Sequence, residues 1–120
     1  MKYLWVALAG AAGAVTRYAI AVTFGAQLFP WATLLVNVTG SFLLAFVVTF
    51  ATERQLSIEV ATAVTVGFIG AYTTFSTFAW ENFVMGRTER AGTAAVYIAV
   101  SIVGGLLAAW GGYQLARAAA

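Results

Sequence analysis

The 120-residue sequence contains no cysteine, no histidine and no aspartate. Disulfides are therefore excluded, and zinc sites, Ser-His-Asp triads and paired aspartates lack their residues. The only acids are four glutamates, and all are expected at or beyond the ends of apolar segments: Glu53, Glu59, Glu81 and Glu89. Few side chains are therefore available for general acid–base catalysis, so we predict that the protein is not an enzyme.

Charge of either sign is also scarce. Charged residues make up 8% of the chain and hydrophobic residues 62%, and the mean hydropathy is +0.92. A soluble domain of this length carries about 25% charged residues, because water must wet its surface. The composition therefore predicts an integral membrane protein, placed in the plasma membrane and most simply the bacterial inner membrane.

The net charge of +2 does not indicate nucleic-acid binding. Phosphate recognition requires basic residues in a stripe or patch. The six cations are instead scattered, mostly near the ends of apolar runs: Lys2, Arg17, Arg54, Arg87, Arg90 and Arg117. We expect no nucleic-acid partner, and a lipid membrane as the surroundings of the chain.

Four apolar segments are long enough to cross a membrane, since a helix needs about 20 residues to do so. They are residues 3–24, 30–52, 60–83 and 93–116, and they predict an all-α, single membrane domain over 1–120. Short connections make neighbouring helices antiparallel. Basic residues then balance between the two membrane sides, so the positive-inside rule expresses no preference. The balance is either chance or a sign that the chain inserts in both orientations.

The centre of the third segment is unusually polar for a membrane helix. Two glycines and four hydroxyl residues crowd there: Gly67, Gly70, Thr73, Thr74, Ser76 and Thr77. Backbone leaves helical geometry at that depth only where protein or water satisfies its freed groups. Such a broken helix would offer carbonyls and amides as an ion site. A continuous helix with small residues packed on a neighbour remains the alternative.

Polar residues in the second segment share one helix face. Asn37 and Ser41 are spaced i, i+4. They act either as hydrogen-bonding glue between helices or as uncharged ligands for an anion or water.

Other candidate residues lie on the remaining segments. Phe75 and Phe78 share a face if helix resumes there. They either face lipid or the protein core, or they meet an anion with the positive edges of their rings. Arg17 continues a face of small residues, which places it in protein or an aqueous vestibule rather than in lipid. Tyr97 and Ser101 form a polar stripe on the fourth segment, where packing is the simpler interpretation.

Together, three motifs resemble the Fluc (CrcB) family of fluoride channels. They are residues 13–18 (GAVTRY), 33–43 (TLLVNVTGSFL) and 67–78 (GFIGAYTTFSTF), joined by the Tyr97 and Ser101 pair. The resemblance extends over essentially the whole chain. It implies a third helix broken at mid-membrane and an antiparallel, dual-topology homodimer with two fluoride pathways.

The same resemblance implies what the site residues do. A structural sodium ion would be held by the backbone carbonyls of Gly70 and Thr73. The fluoride pathway would be formed by Asn37, Phe75, Phe78, Ser76, Thr77, Tyr97, Ser101 and Arg17. The expected function is passive export of fluoride, which relieves its toxicity.

Two other functions are compatible with four short apolar helices. A small multidrug exporter would require an acid embedded in the membrane, and the first segment has none. A non-transporting scaffold would use the polar residues only for packing, and it predicts no ion flux. A potassium-type filter is excluded, because no Thr-Val-Gly-Tyr-Gly run occurs.

Overall fold

The computed structural model describes all 120 residues, and every regular element in it is helical. Four helical spans are long and apolar enough to cross a membrane. They are α1 (Lys2–Phe24), α2 (Trp31–Glu53), a third span (Ile58–Arg87) and a final helix (Ala91–Ala119). The prediction of an all-α protein with four transmembrane helices is confirmed.

Local sequence explains where the spans begin and end. Gly25 follows α1 with a φ of 65°, a conformation that suits glycine, and Pro30 immediately precedes α2. The Ser57 hydroxyl caps the third span by accepting a hydrogen bond from the Val60 amide at 3.3 Å. The third span extends beyond the predicted 60–83 at both ends, because polar capping residues continue the helix past its apolar stretch.

The third span is not one regular helix. It consists of α3 (Ile58–Thr62), a π-helical segment (Ala63–Ile69), α4 (Gly70–Tyr72) and α5 (Phe75–Arg87). Between α4 and α5 the backbone is extended, with ψ of 155° at Thr73 and φ of −150° at Thr74. The predicted break is therefore present, whereas the π-helical segment was not predicted.

Close contacts between helices position the broken span. The chain after α5 forms α6 (Ala91–Ala119), which packs mainly against α2, and α1 packs mainly against the π-helical segment and α4. A Cβ atom on Gly13 of α1 would collide with the Phe68 carbonyl, and one on Gly67 would come within 2.8 Å of the Val6 carbonyl oxygen. Glycines on both sides of this contact let the two backbones touch, as in other membrane helix pairs.

Little of the chain is buried within one copy. Only 13 of 120 residues are buried, while the molecule measures 50 × 30 × 20 Å. Most large apolar side chains therefore point outward, as expected for helices that meet lipid or another subunit instead of water.

Candidate functional site

Asn37 contacts the break from α2 by two hydrogen bonds to one residue. The Thr74 amide donates to Asn37 Oδ1 at 2.8 Å, and Asn37 Nδ2 donates to the Thr74 carbonyl at 3.0 Å. The side-chain amide thus pairs with both backbone groups of Thr74, as a neighbouring β-strand would. Extended backbone inside a membrane requires such partners.

Arg17 contacts the break from α1. Its Nε donates to the Ala71 carbonyl at 3.0 Å. The guanidinium has further N–H donors, and the side chain lines a small cavity of about 50 Å³ together with Thr74 and Thr77. Arg17 therefore supports the broken backbone directly and also presents positive charge to a polar cavity.

Thr74 also organises the hydroxyl groups beyond the break. Its Oγ1 caps α5 by accepting from the Thr77 amide at 3.2 Å. The same oxygen lies 3.1 Å from Thr77 Oγ1 and 3.3 Å from Ser76 Oγ. Three hydroxyls are therefore clustered at the start of α5, without any charged group among them.

Two carbonyls at the break lose the partners that a continuous helix would give them. The Gly70 carbonyl would accept from the Thr74 amide, which instead donates to Asn37. The Thr73 carbonyl would accept from the Thr77 amide, which instead donates to Thr74 Oγ1. Gly70 is exposed on the surface of the copy and Thr73 is partly exposed. Carbonyl oxygens suit a hard alkali cation, so these two residues fit the expected sodium ion.

Aromatic rings extend from the break into the helix bundle. The ring centroids of Phe75 and Phe78 lie 5.9 Å apart, and those of Phe78 and Tyr97 lie 5.0 Å apart in an edge-to-face arrangement. Phe75 is 78% exposed, whereas Tyr97 is fully buried at 0%. The row thus leads from the outer surface of the copy to its interior, and its rings can present positive edges.

Glu81 occupies a different place from the one expected. The sequence placed it near a helix end, but α5 continues to Arg87, so Glu81 lies inside a helix and is partly buried. Its Oε1 accepts a hydrogen bond from Thr33 Oγ1 at 2.5 Å. Its Oε2 is buried without a partner, as are the Tyr97 hydroxyl and Ser101 Oγ. Buried polar atoms without partners are uncommon and mark places where water or an ion can bind.

Three separate cavities lie beside these groups. A cavity of about 410 Å³ reaches from the α1–α2 loop to Glu81, and Arg90 lines it. Arg90 donates a hydrogen bond to the Leu28 carbonyl, which joins the two loops at that end. This cavity and the smaller one beside Arg17 are neighbours, since Ala21, Ala32, Thr33 and Thr77 line both. A third cavity, of about 240 Å³, lies between Asn37, Thr73 and Phe75.

The structure brings most of the predicted pathway residues together. Asn37, Ser76 and Thr77 meet through Thr74, while Phe75, Phe78 and Tyr97 form the aromatic row. Ser101 lies one turn beyond Tyr97 on α6 and bonds to none of them. Whether any of these residues contacts fluoride stays a prediction.

Sequence reasoning missed Thr33 and Glu81, and it gave Thr74 no role of its own. Thr33 precedes Asn37 by four residues, so Thr33, Asn37 and Ser41 form one polar stripe along α2 that could have been recognised. Glu81 carried no such signal, because its burial depends on α2 and α6 packing around α5.

Comparison with known proteins places the chain among membrane ion channels. Residues 4–113 match the family model described as CrcB-like protein, Camphor Resistance (CrcB). The chain is 47% identical to fluoride-specific ion channel FluC 2 of Geobacillus kaustophilus, over 98% of this chain and 94% of the relative. It is 45% identical to fluoride-specific ion channel FluC of Acidobacterium capsulatum, over 92% of this chain and 91% of the relative. These matches extend over the whole bundle, including the break and both residues that bond to it.

Proposed function

Because this chain belongs to the CrcB family, we propose that it is a fluoride-selective channel that exports fluoride passively and so relieves fluoride toxicity. It is a multi-pass membrane protein and not an enzyme, as the sequence predicted. The observation that carries the proposal is the row of uncharged donors and ring edges beside the break, since it can replace water around a small anion.

Fluoride holds its hydration shell tightly, so a pathway must offer substitute donors at every step. The hydroxyls of Ser76, Thr77, Tyr97 and Ser101 offer them, together with the Asn37 amide. The edges of the Phe75 and Phe78 rings add weak positive potential. Several weak sites favour conduction, because one strong site would retain the ion.

Arg17 raises the concentration of anions near the break without forming a trap. Its Nε is already occupied by the Ala71 carbonyl, which limits how closely the guanidinium can follow a passing ion. The Arg17 side chain lines the small cavity shared with Thr74 and Thr77. Positive charge held at the side of a route attracts anions and still lets them leave.

The partly buried Glu81 reopens the question of a proton-coupled exporter, because such a protein needs an acid within the membrane. Membership of the CrcB family decides against a multidrug exporter. We place Glu81 instead at the inner end of the larger cavity, where Thr33 fixes its position.

The functional unit is proposed to be an antiparallel homodimer of two oppositely oriented copies. A second copy would cover Phe75, which is 78% exposed, and would bring two breaks together. A sodium ion held by the Gly70 and Thr73 carbonyls of both copies would neutralise their converging dipoles. The balance of basic residues on the two sides supports insertion in both orientations.

Orientation can be measured directly. A tag at the C-terminus should be labelled from both membrane faces in comparable amounts, and labelling from one face only would contradict the dual topology. Two or three lysines added to the loop between α2 and α3 should bias orientation and lower flux, because the charge balance is lost. As the control, the same number of lysines is also added to the loop between α1 and α2. That loop lies on the opposite side of the membrane, so the balance of basic residues is restored.

Fluoride flux tests the function itself. Liposomes that contain the purified protein should release fluoride and retain chloride, and empty liposomes should release neither. Equal release of both anions would remove the claim of selectivity. Release of neither would favour the non-transporting scaffold.

A further inference from the structure

Asn37 competes directly with the helix for one backbone donor. In a continuous helix the Thr74 amide would donate to the Gly70 carbonyl, four residues before it. In the structure that amide donates to Asn37 Oδ1 at 2.8 Å instead. The Gly70 carbonyl is therefore available to another partner only while Asn37 holds Thr74.

The second bond from Asn37 holds the extended conformation. Asn37 Nδ2 donates to the Thr74 carbonyl at 3.0 Å, so the residue is held at both ends with φ of −150° and ψ of 112°. The direction of the preceding Thr73 carbonyl depends on this conformation, since the two residues share a peptide plane. One side chain thus controls both carbonyls that fit a cation.

Asn37 also lies on the proposed anion route. It lines the cavity of about 240 Å³ that Ser41, Thr73 and Phe75 share. Arg17, the other side chain bonded to the break, does not line that cavity. Asn37 therefore bonds to the backbone at the expected cation site and also lines a cavity on the proposed anion route.

We propose that Asn37 is a positioning residue that couples sodium at the break to fluoride conduction, an inference that rests on the proposed function. Sodium binds the broken span and not a closed, continuous helix, so it stabilises the arrangement in which Asn37 holds Thr74. By linkage, weakening the Asn37 bonds weakens sodium binding, and excess sodium restores the conducting arrangement.

The test compares Asn37→Ala with Asn82→Ala at a series of sodium concentrations, with choline as the replacement cation. Asn82 is a control for the sodium midpoint, because its amide donates only to the Phe78 carbonyl within its own helix and bonds to no residue of the break. Two quantities are measured on purified protein: the melting temperature in detergent, and fluoride efflux from liposomes. Melting temperature reports sodium binding independently of flux.

For Asn37→Ala we expect the sodium midpoint of both curves to rise roughly tenfold, as the loss of one or two hydrogen bonds implies. High sodium should then restore the melting temperature to its sodium-saturated level and recover only part of the flux, because Asn37 is itself a donor on the proposed anion route. Asn82→Ala should keep the parent midpoint. Flux that stays low at every sodium concentration, with an unchanged midpoint, would make Asn37 an anion ligand only and overturn the proposal. A parent protein that conducts fluoride without any response to sodium would overturn it as well, yet would leave the channel function standing.

A second variant covers the case in which Asn37→Ala does not fold. Asn37→Asp keeps the oxygen that accepts from the Thr74 amide but replaces the donor with a negative charge. Its second carboxylate oxygen faces the Thr74 carbonyl and repels it, so the bond that holds the extended conformation is lost and the sodium midpoint of the melting curve should rise, as for Asn37→Ala. Fluoride flux should fall as well, because the charge repels the anion. A midpoint equal to that of the parent would show that the two Asn37 bonds do not control the cation site, and it would overturn the proposal.

Discussion

The third span and α6 are both long, apolar and rich in glycine, yet their structures differ. The third span contains six threonines and serines, whereas α6 contains two. Yet α6 runs unbroken over Ala91–Ala119, whereas the third span opens at Thr73 and Thr74. Glycine lowers helix stability by about 1 kcal/mol in either place, so propensity alone does not explain the difference.

What distinguishes the two spans is the partner that each meets. Gly112 of α6 lies directly against the Phe42 carbonyl, and this contact requires a residue without a Cβ atom. Thr74 meets the Asn37 amide, which offers both a donor and an acceptor to its backbone. A membrane helix therefore breaks where a neighbour satisfies the freed groups, and it stays intact where a neighbour only packs.

The largest expected effect is on fluoride flux, and it compares a ring beside the break with a ring on the unbroken helix α2. Phe78→Ile keeps most of the side-chain volume but removes the ring that meets Phe75 and Tyr97. Loss of its edge interactions, worth about 1 kcal/mol each, should lower efflux on the order of tenfold. Phe46→Ile is the control, because Phe46 stacks within α2 between Phe42 and Phe50. Equal efflux from both variants would place the anion route away from the break.

An intermediate effect is expected on the free energy of unfolding. It compares Gly13, which lies against the backbone of another helix, with Gly86, which does not. Gly13→Ala should lower the stability of the protein by about 1–3 kcal/mol, since its Cβ would collide with the Phe68 carbonyl and push α1 off the broken span. Gly86→Ala in α5 has open space around it and should be neutral or slightly stabilising. Thermal unfolding in detergent measures both. A Gly13→Ala protein as stable as the parent would mean that the two backbones lie farther apart.

The smallest effect is expected from helix caps. Thr74→Ala and Ser57→Ala each remove a hydroxyl that accepts from the amide three residues later, at a cost of about 1 kcal/mol. Only Thr74→Ala should also reduce fluoride efflux, because Thr74 gathers the Ser76 and Thr77 hydroxyls. Thr74→Ser restores the hydroxyl and should restore both quantities. If Ser57→Ala lowers efflux equally, the loss of efflux follows from the lower stability of the helix and not from the hydroxyls that Thr74 gathers.

The sequence predicted the break better than it predicted what surrounds it. Glycine and hydroxyl residues crowded at the centre of an apolar span left both a break and a continuous helix open, and the resemblance to the Fluc (CrcB) family favoured the break. The π-helical segment Ala63–Ile69 was not predicted, because its residues are ordinary for a membrane helix; in the structure it packs closely against α1. Glu81 was misjudged for a related reason, since only the length of α5 and its contact with Thr33 place it inside the bundle.

Composition and spacing by themselves determined that this chain has four segments able to span a membrane, that it contains no cysteine, histidine or aspartate, and that its third span carries the polar centre. These properties are local, since they depend on how each stretch of chain interacts with lipid or water. Tertiary structure alone decided which backbone groups at the break are satisfied. Asn37 and Arg17 are 37 and 54 residues away in sequence from the groups they bond, so only the packing of α1 and α2 against the third span could bring them there.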